Sequence, residues 1–399
     1  MSRVFSYLLV ILFLQAFGFT ALGKDKTRIV PGAERTELYF PDLKGKKIAV
    51  VANHTAVLGN QHLVDSLRKS GFKIKCVFAP EHGFRGESGN GEKIANGKDA
   101  KTGISIISLY GKHLKPTAKD LEGVKVVIFD IQDVGVRFYT YISTLQYVME
   151  ACAELKIQLI VLDRPNPNGF YIDGPVLKKE FSSFVGMQEV PIVYGMTIGE
   201  YALMLNGEGW LANKSKCKLK VVSLINYDHT TRAVLRIAPS PNLPDMDAIY
   251  LYPGICLLEG THVSLGRGTT MPFRLIGFPG FQKREAEPDT TFIPKDIKGV
   301  AINPPYEDTL CHGLNLIGKG FVLRSTGEID LAVLSLMYQR FPEKSKFFNS
   351  FFNKLAGNSD LQDQIINNLS AEKIRASWKE NLDAFKKIRK KYLLYADFY

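Results

Sequence analysis

The sequence contains little cysteine, and its cysteines are scattered. Only five stand among 399 residues, and no two have the CxxC spacing, so neither a zinc site nor a disulfide scaffold is indicated. Their odd number leaves at least one thiol outside any intrachain disulfide. The hydrophobic fraction of 45% and the charged fraction of 23% are those of an ordinary folded protein. They exclude a disordered tail, a collagen and a multispanning membrane protein.

Several catalytic signatures are also missing. There is no GxxxxGK[ST], and no GxGxxG at a strand-to-helix turn, so a nucleotide-binding function is only weakly supported. The absence of GxSxG leaves a serine hydrolase without its nucleophile, and the absence of HExxH leaves a zinc protease without its ligands. We predict no metal site and no cofactor.

Long apolar runs are rare, except at the N-terminus. Arg3 precedes an apolar stretch over residues 4–18, and Ala21-Leu22-Gly23 supplies small residues at the two positions that signal peptidase reads. We interpret residues 1–23 as a secretory signal rather than an anchor, because the run is short for a ~20-residue membrane span. We expect an exported protein, periplasmic or secreted, with no stable membrane insertion after cleavage.

The sequence carries a net positive charge. Lys and Arg number 51 against 40 Asp and Glu. Outside the cytoplasm this favours phospholipid headgroups or cell-wall polymer as partners rather than nucleic acid. A solvated, lysine-rich last helix is the simpler explanation for part of the excess.

From residue 46 to 162, short apolar runs alternate with helical patterns. The runs lie at residues 47–52, 72–79, 104–109, 124–129 and 157–162. Several are apolar on both faces, which is typical of parallel strands covered by helices on each side. The pattern predicts an α/β fold with a doubly wound parallel sheet.

A proline-rich stretch, residues 239–244, is the clearest boundary signal in the chain. A mixed segment follows it, with helices predicted over 329–340 and 371–392, so we expect a second, smaller α+β domain. The predicted organisation is a signal peptide, an N-terminal domain and a C-terminal domain. Their ranges are 1–23, 24–235 and 236–399.

Polar clusters follow four of the predicted strands. The carboxyl ends of parallel strands share one edge of the sheet, where ligands bind in open α/β folds. We therefore expect one site built from these clusters. Their candidate members are Asn53; Glu81, His82 and Arg85; Asp130, Gln132 and Asp133; and Asp163, Arg164 and Asn166.

Two of these clusters contain the residues best suited to catalysis or to sugar binding. Glu81 and His82 begin a glycine-rich passage in which neighbouring charges can tune a carboxyl group, although a Glu–Arg pair that only fixes the shape of the turn is the alternative. In the other cluster, Asp130 to Asp133 are followed by Arg137 and Tyr139. This mixture suits a sugar, since hydroxyls bind polar groups and C–H faces lie on aromatic rings, whereas an Asp133–Arg137 ion pair is the plainer explanation.

Glycoside hydrolysis needs an acid for the departing oxygen and a group that stabilises the oxocarbenium-like centre. Glu81 is our acid candidate. Glu259, in a Glu-Gly-Thr turn of the second domain, could face it as nucleophile, base or substrate-positioning group, and Glu87 and Glu92 are alternatives. Retaining, inverting and acetamide-assisted routes stay open, because they differ in a carboxylate separation that sequence does not measure.

Taken together, the motifs resemble those of the NamZ-type exo-β-N-acetylmuramidases, glycoside hydrolase family 171. They occur in family order over about residues 46 to 313. The matching runs are Pro80-Glu81-His82-Gly83-Phe84-Arg85-Gly86, Ser108-Leu109-Tyr110-Gly111, residues 129–141, Asp163-Arg164-Pro165-Asn166-Pro167, residues 195–200, Pro239-Ser240-Pro241-Asn242, Leu258-Glu259-Gly260-Thr261 and Gly266-Arg267-Gly268-Thr269-Thr270.

The resemblance implies an enzyme that releases N-acetylmuramic acid from the non-reducing end of peptidoglycan fragments, by cutting its β-1,4 bond to N-acetylglucosamine during cell-wall turnover or recycling. It also implies a Rossmann-like N-terminal domain, with the site between the two domains. Glu81 and Glu259 would be catalytic, and the other residues of the four clusters would bind substrate, together with Arg137, Tyr139 and Arg267.

A muramic-specific pocket should hold a cation for the lactyl carboxylate, since guanidinium groups pair with carboxylates in a bidentate manner. The candidates are Arg85, Arg137, Arg164 and Arg267. Two other functions are retained as alternatives: an exported muropeptide-binding protein without catalysis, and an exo-β-N-acetylglucosaminidase.

Overall fold

A computed structural model describes residues 28–85, 96–284 and 290–399. The predicted signal peptide, Glu87 and Glu92 lie outside these residues. Among the described residues, none of the helices combines the length and the hydrophobicity of a membrane-spanning segment.

The first half of the chain builds one large sheet. Its strands run in the order β5-β6-β4-β1-β7-β8-β9, all parallel except the short edge strand β5, while β2 and β3 form a separate hairpin. The strands are β1 (Lys47–Ala52), β2 (Val57–Leu58), β3 (Gln61–His62), β4 (Lys73–Ala79), β5 (Gly97–Lys98), β6 (Ser105–Ser108), β7 (Val126–Asp130), β8 (Gln158–Leu162) and β9 (Lys218–Val222). The predicted doubly wound parallel sheet is confirmed, and its five predicted strands are present to within two residues at either end.

Helices cover both faces of this sheet, because its central strands are apolar on both sides. In β1, Ala49 and Val51 belong to one hydrophobic cluster and Ile48, Val50 and Ala52 to another, as the alternation of side chains along a strand requires. The covering helices are α1 (Thr36–Leu43), α2 (Leu63–Lys69), α3 (Tyr141–Glu154) and α4 (Ile198–Gly207).

The second half of the chain contains a smaller sheet and more α-helices than the first half. An antiparallel sheet has the order β10-β12-β11, and helices surround it, which agrees with a smaller α+β unit. The elements are α5 (Met246–Ile255), β10 (Leu275–Phe278), β11 (Thr290–Phe292), β12 (Cys311–Asn315), α6 (Lys319–Thr326), α7 (Leu331–Arg340), α8 (Phe352–Ala356), α9 (Asp360–Ile366) and α10 (Ala371–Arg389). All five cysteines are buried and unpaired.

A buried arginine ties the two halves together. Arg137 is fully buried, and its Nη1 donates to the carbonyls of Pro175 and Val190 at 2.8 Å each. Its Nη2 donates to the carbonyls of Leu355 and Ala356, also at 2.8 Å. Burial lowers the pKa of Arg137 to about 9. These contacts do not suggest the sugar-binding role predicted for Arg137, because both terminal nitrogens already donate hydrogen bonds to main-chain oxygens.

We expect Arg137→Met to lower the free energy of unfolding by at least about 3 kcal/mol, because four carbonyls lose their donors in a dry interior. Urea denaturation followed by circular dichroism measures the change. Lys379→Met serves as the control, since that lysine is exposed, pairs with the exposed Asp383 and should cost far less. Equal losses for the two variants would contradict the structural role of Arg137.

Candidate active site

A pocket of about 210 Å³ opens where the carboxyl edge of the large sheet meets the second half of the chain. It takes residues from the loop after β4, the segment before α3, the proline-rich stretch and the turn after α5. Its lining residues are Glu81, His82, Tyr110, Phe138, Tyr139, Thr140, Phe184, Val185, Ser240, Asn242, Leu243, Tyr252, Cys256, Glu259, Arg267, Phe273, Phe351 and Leu355.

Glu81 enters the pocket from a tight turn at the end of β4. His82 has a φ of 70° and Gly83 a φ of 78°, and the Gly83 amide donates to the carbonyl of Pro80 at 3.0 Å. A non-glycine residue in this left-handed region is uncommon and often marks a functional site. The turn presents the Glu81 side chain to the pocket instead of the sheet interior.

Hydroxyl groups hold the carboxyl group of Glu81. Thr140 Oγ1 donates to Glu81 Oε2 at 2.8 Å, and the hydroxyl of Tyr110 also bonds to Glu81. Burial and the adjacent Glu81 charge raise the pKa of Tyr110 well above its usual value, so Tyr110 remains a donor at neutral pH. Glu81 itself is only 9% exposed, and the groups that bind its carboxyl group are uncharged.

Glu259 has a different environment, because a guanidinium group holds it. Arg267 Nε donates to Glu259 Oε1 at 2.8 Å, and Arg267 Nη2 bonds to the same oxygen. Burial acts to lower the pKa of Arg267, but the adjacent Glu259 outweighs it and raises that pKa. The Arg267 guanidinium also lies 4.8 Å from the ring centre of Phe273. The Arg267–Glu259 contact is therefore a charge-assisted pair.

The two carboxyl groups therefore differ in a way that suits acid and base chemistry. Glu81 is bound by uncharged hydroxyl groups, whereas Glu259 is bound by a guanidinium group. Pairs of carboxyl groups with opposed environments are the usual arrangement for dividing these roles between two residues. Both line one pocket, so they can act on one substrate.

Aromatic rings form much of the pocket wall. Tyr139 and Tyr252 meet edge to face with ring centres 5.8 Å apart, and Tyr252 meets Phe273 at 5.1 Å. The Tyr139 hydroxyl donates to the carbonyl of Pro239 at 3.0 Å, which fixes the ring. Faces of this kind suit the C–H surface of a sugar.

The structure brings some of the sequence-predicted site residues to the pocket and places others around it. Glu81, His82, Tyr139, Glu259 and Arg267 line it. The remaining candidates form hydrogen bonds within the surrounding loops. They are Asn53, Arg85, Asp130, Gln132, Asp133, Arg137, Asp163, Arg164 and Asn166.

Two of these outer residues support the pocket indirectly. Asn53 donates to the Tyr141 hydroxyl at 2.9 Å, and Tyr141 in turn reaches the main-chain oxygen of Glu81 at 3.5 Å. Gln132 joins neighbouring loops by donating to the carbonyls of Asp133 and Pro165 at 2.8 and 2.7 Å.

Buried carboxylates fix the other loops at this edge. Asp130 accepts from Arg164 Nε and Nη2 at 2.5 and 2.9 Å. Asp163 accepts from the hydroxyls of Thr197 and Tyr395 at 2.8 and 2.6 Å, so it ties β8 to α4 and to the C-terminal tail.

Two further candidates have similar local partners. Asp133 accepts from the amide of Gly135 at 2.7 Å and from the Tyr194 hydroxyl, and burial raises its pKa to about 6. Asn166 donates to the carbonyl of Met196 at 2.8 Å. The alternative of an Asp133–Arg137 ion pair is wrong, because each side chain has other partners.

Arg85 also has its partners away from the pocket. It forms ion pairs with Asp65 and Asp99, at 3.3 and 2.9 Å from its Nη2, so the alternative of an internal Glu81–Arg85 pair does not describe this turn.

Sequence reasoning missed Tyr110, Thr140, Asn242 and Tyr252 as pocket residues. Three of them stand in motifs already singled out: Tyr110 follows β6, Thr140 precedes α3, and Asn242 belongs to the proline-rich stretch. Their positions in loops at the same sheet edge were the available signal. In the described ranges, no group of three or more His, Cys, Asp or Glu side chains could hold a metal ion.

Comparison with known proteins assigns the chain to a family. Residues 48–247 match the family model described as "Exo-beta-N-acetylmuramidase NamZ, N-terminal", and residues 250–395 match its C-terminal counterpart. The chain belongs to the NamZ exo-β-N-acetylmuramidase family. The predicted membership is thereby confirmed.

Curated and solved members of the NamZ family cover nearly the whole chain. It is 39% identical over 374 residues to the peptidoglycan β-N-acetylmuramidase NamZ of Bacillus subtilis strain 168, covering 90% of this chain and 89% of that protein. A DUF1343 family protein from Bacteroides fragilis is 45% identical, with a TM-score of 0.85, and the match covers 93% of this chain and 99% of that one. A second DUF1343 family protein from B. fragilis is 28% identical, with a TM-score of 0.78. That match covers 92% of this chain and 99% of the other.

The different environments of the two glutamates predict different effects on stability. We expect Glu259→Gln to lower the free energy of unfolding by about 2 kcal/mol, because Arg267 is left buried without its carboxylate. Glu81→Gln should change it by less than about 0.5 kcal/mol, since the amide oxygen can still accept from the hydroxyls. Urea denaturation measures both variants, and equal effects would contradict this difference between the environments of the two glutamates.

Proposed function

We propose that the protein is an exo-acting glycoside hydrolase that releases N-acetylmuramic acid from the non-reducing end of peptidoglycan fragments. The bond cut is the β-1,4 linkage to N-acetylglucosamine. The observation that carries the proposal is the meeting of a hydroxyl-held Glu81 and an arginine-held Glu259 in one aromatic pocket of a NamZ family protein.

The geometry gives each group a role. Glu81 donates a proton to the glycosidic oxygen as the bond to C1 breaks, and the hydroxyls of Thr140 and Tyr110 orient its carboxyl group. The carboxylate of Glu259, paired with Arg267, stabilises the positive charge that develops at C1. Water then supplies the hydroxyl at C1, and Glu81 regains a proton.

The lactyl carboxylate of muramic acid requires a cation in the pocket. Of the four candidate arginines, Arg85, Arg137 and Arg164 bond elsewhere, and Arg267 lines the pocket. Arg267 Nη1 is buried without a hydrogen-bond partner among the described residues. We infer that Nη1 recognises the lactyl group.

We further propose that the enzyme is exported and acts in cell-wall turnover or recycling. The basis is the N-terminal segment, in which Arg3 precedes an apolar run and a small-residue cleavage site, together with a substrate that lies outside the cytoplasmic membrane. Export of a reporter fused behind residues 1–30, compared with the same fusion carrying charged substitutions in the apolar run, tests this assignment.

The acid role of Glu81 predicts a dependence on the leaving group. We expect Glu81→Gln to lower kcat for the disaccharide MurNAc-β-1,4-GlcNAc by about a thousandfold, because the sugar oxygen needs a proton to depart. An aryl β-N-acetylmuraminide, whose phenol departs without one, should lose much less. Release of product, measured by chromatography and absorbance, distinguishes the two substrates.

Glu150→Gln is the matched control, because Glu150 is also buried but lies on α3 away from the pocket. Equal losses of Glu81→Gln on both substrates would contradict the acid role. Binding of the disaccharide by the parent without any release would favour a muropeptide-binding protein.

The role of Arg267 predicts a change in sugar discrimination. We expect Arg267→Gln to reduce activity generally and also to lower the ratio of kcat/KM for aryl muraminide over aryl glucosaminide by about tenfold, because the lactyl carboxylate loses a charged partner. Arg85→Gln and Arg164→Gln should leave the ratio unchanged. An unchanged ratio in Arg267→Gln would overturn the assignment, and a parent that prefers the glucosaminide would indicate an exo-β-N-acetylglucosaminidase.

A further inference from the structure

A second cavity opens at the carboxyl edge of the large sheet. Its volume is about 270 Å³, and among the described residues it shares no lining residue with the candidate active site. Thr55, Gln132 and Arg164, from the loops after β1, β7 and β8, belong to its lining. The strand order reverses between β1 and β7, and open parallel sheets bind ligands outside such a point. The cavity therefore lies where this architecture places a ligand.

Two nearly buried side chains present unused polar atoms in this cavity. Arg164 and Gln132 are each 6% exposed. Arg164 binds Asp130 through Nε and Nη2 at 2.5 and 2.9 Å, whereas its Nη1 has no hydrogen-bond partner in the ranges that the structure describes. Gln132 donates from Nε2 to two main-chain carbonyls, and its Oε1 accepts no hydrogen bond from those same ranges. A ligand can thus supply an acceptor for Nη1 and a donor for Oε1.

Arg236 adds a third unpaired group. It is exposed and lines the cavity, and its side chain has no hydrogen bond or ion pair with any described residue. Its guanidinium presents two parallel N–H groups, the geometry that a carboxylate accepts. Arg236 and Nη1 of Arg164 together give the cavity unused donors for an anion.

The charges around the cavity favour a ligand with a single negative charge. Arg28 pairs with Glu34 at 3.0 and 2.5 Å and holds the pKa of Glu34 below its usual range, while Asp130 neutralises Arg164. Three arginines against two carboxylates leave one positive charge, that of Arg236. A carboxylate matches this charge, whereas a phosphate monoester carries about 1.5 to 2 negative charges at neutral pH and would be repelled by Glu34.

Much of the remaining lining is apolar. Val234 is 67% exposed, so its side chain offers a contact surface that the fold leaves uncovered. Burial of such a surface favours a ligand with an apolar body. The apolar lining residues are Ile29, Pro31, Val57, Val234, Leu235 and Ile237.

Hydrogen bonds anchor the two segments that complete the cavity, the N-terminal segment and residues 234–237. In the first, the Gly32 amide donates to the carbonyl of Asp163 at 2.9 Å. The second is held at its end, where Nε2 of His54 bonds to the carbonyl of Ala238 at 2.8 Å. The cavity is therefore formed before a ligand arrives, which lowers the entropy cost of binding.

We propose that this cavity is a binding site for a small organic monocarboxylate with an apolar body and an amide N–H. These are the shared features of an N-acylated amino acid and the C-terminus of a short peptide. The carboxylate binds Arg236 and Nη1 of Arg164, the N–H donates to Oε1 of Gln132, and the apolar body covers Val234. The site is separate from the pocket of Glu81, so it goes beyond the proposed function and does not depend on it.

Calorimetric titration with each enantiomer of N-acetyl-leucine tests the site, since this probe has all three features. We expect the parent to bind at least one enantiomer with a Kd of about 1 mM or below. N-acetyl-leucinamide, which lacks the carboxylate, and isobutyl phosphate, which carries the larger charge, should each bind about tenfold more weakly. Tighter binding of the peptide N-acetyl-Ala-Ala-Leu than of N-acetyl-leucine identifies a peptide terminus as the ligand, and the reverse order identifies an acylated amino acid.

Arg236→Gln removes the unneutralised charge and should weaken binding about tenfold. A circular dichroism melt checks that this variant folds, as expected for an exposed position. Arg232→Gln is the matched control, because Arg232 stands in the same segment but its guanidinium lies 3.7 Å from the ring centre of Phe170 and outside the cavity lining. Its affinity should stay within about twofold of the parent's.

An absence of binding by either enantiomer and by the peptide at about 10 mM would overturn the proposal. Equal affinities for the acid and the amide would do the same, and so would tighter binding of isobutyl phosphate. An unchanged affinity in Arg236→Gln, or the same loss in Arg232→Gln, would show that the probe binds elsewhere.

Discussion

The buried guanidinium of Arg137 is the contact on which the arrangement of the site depends. It lies at the carboxyl edge of the large sheet and binds main-chain oxygens from residues 175 and 190 on one side and from residues 355 and 356 on the other. Leu355 is itself part of the pocket wall. Because carbonyl groups accept in defined directions, this contact fixes the second half of the chain against the first.

Because the two halves are fixed against each other, glutamates from two distant segments of the chain can act on the same bond. Glu81 comes from the turn after β4 and Glu259 from the turn after α5, and each brings its own partners. Thr140 and Tyr110 give Glu81 neutral hydroxyl donors, while Arg267 gives Glu259 a positive charge. The two side chains are chemically identical, so the division of acid and base roles between them has to come from these different neighbours.

The polar clusters after the strands have two uses in this fold. Glu81 and His82 reach the pocket, whereas Asp130 and Asp163 bind groups from adjacent loops. The carboxyl edge of a parallel sheet is crowded with loops whose main-chain groups need partners, so many polar residues there hold the loops in place. The prediction that polar residues gather at this edge was sound, but a list of residue types does not separate those that face the cavity from those that support it.

The sequence by itself determined the alternation of strands and helices, the parallel sheet and the edge at which a site forms, because hydrophobic periodicity and strand direction are local properties. Its motifs also indicated the family, and with it Glu81 and Glu259. Only the tertiary structure decided that Arg267 pairs with Glu259, that Arg137 binds carbonyls, and that Tyr110 and Thr140 hold Glu81. The Arg267–Glu259 pair spans only eight residues, but its geometry depends on how that turn packs. The other contacts join residues far apart in the chain, so they depend on how the loops and the two halves pack, which no local pattern specifies.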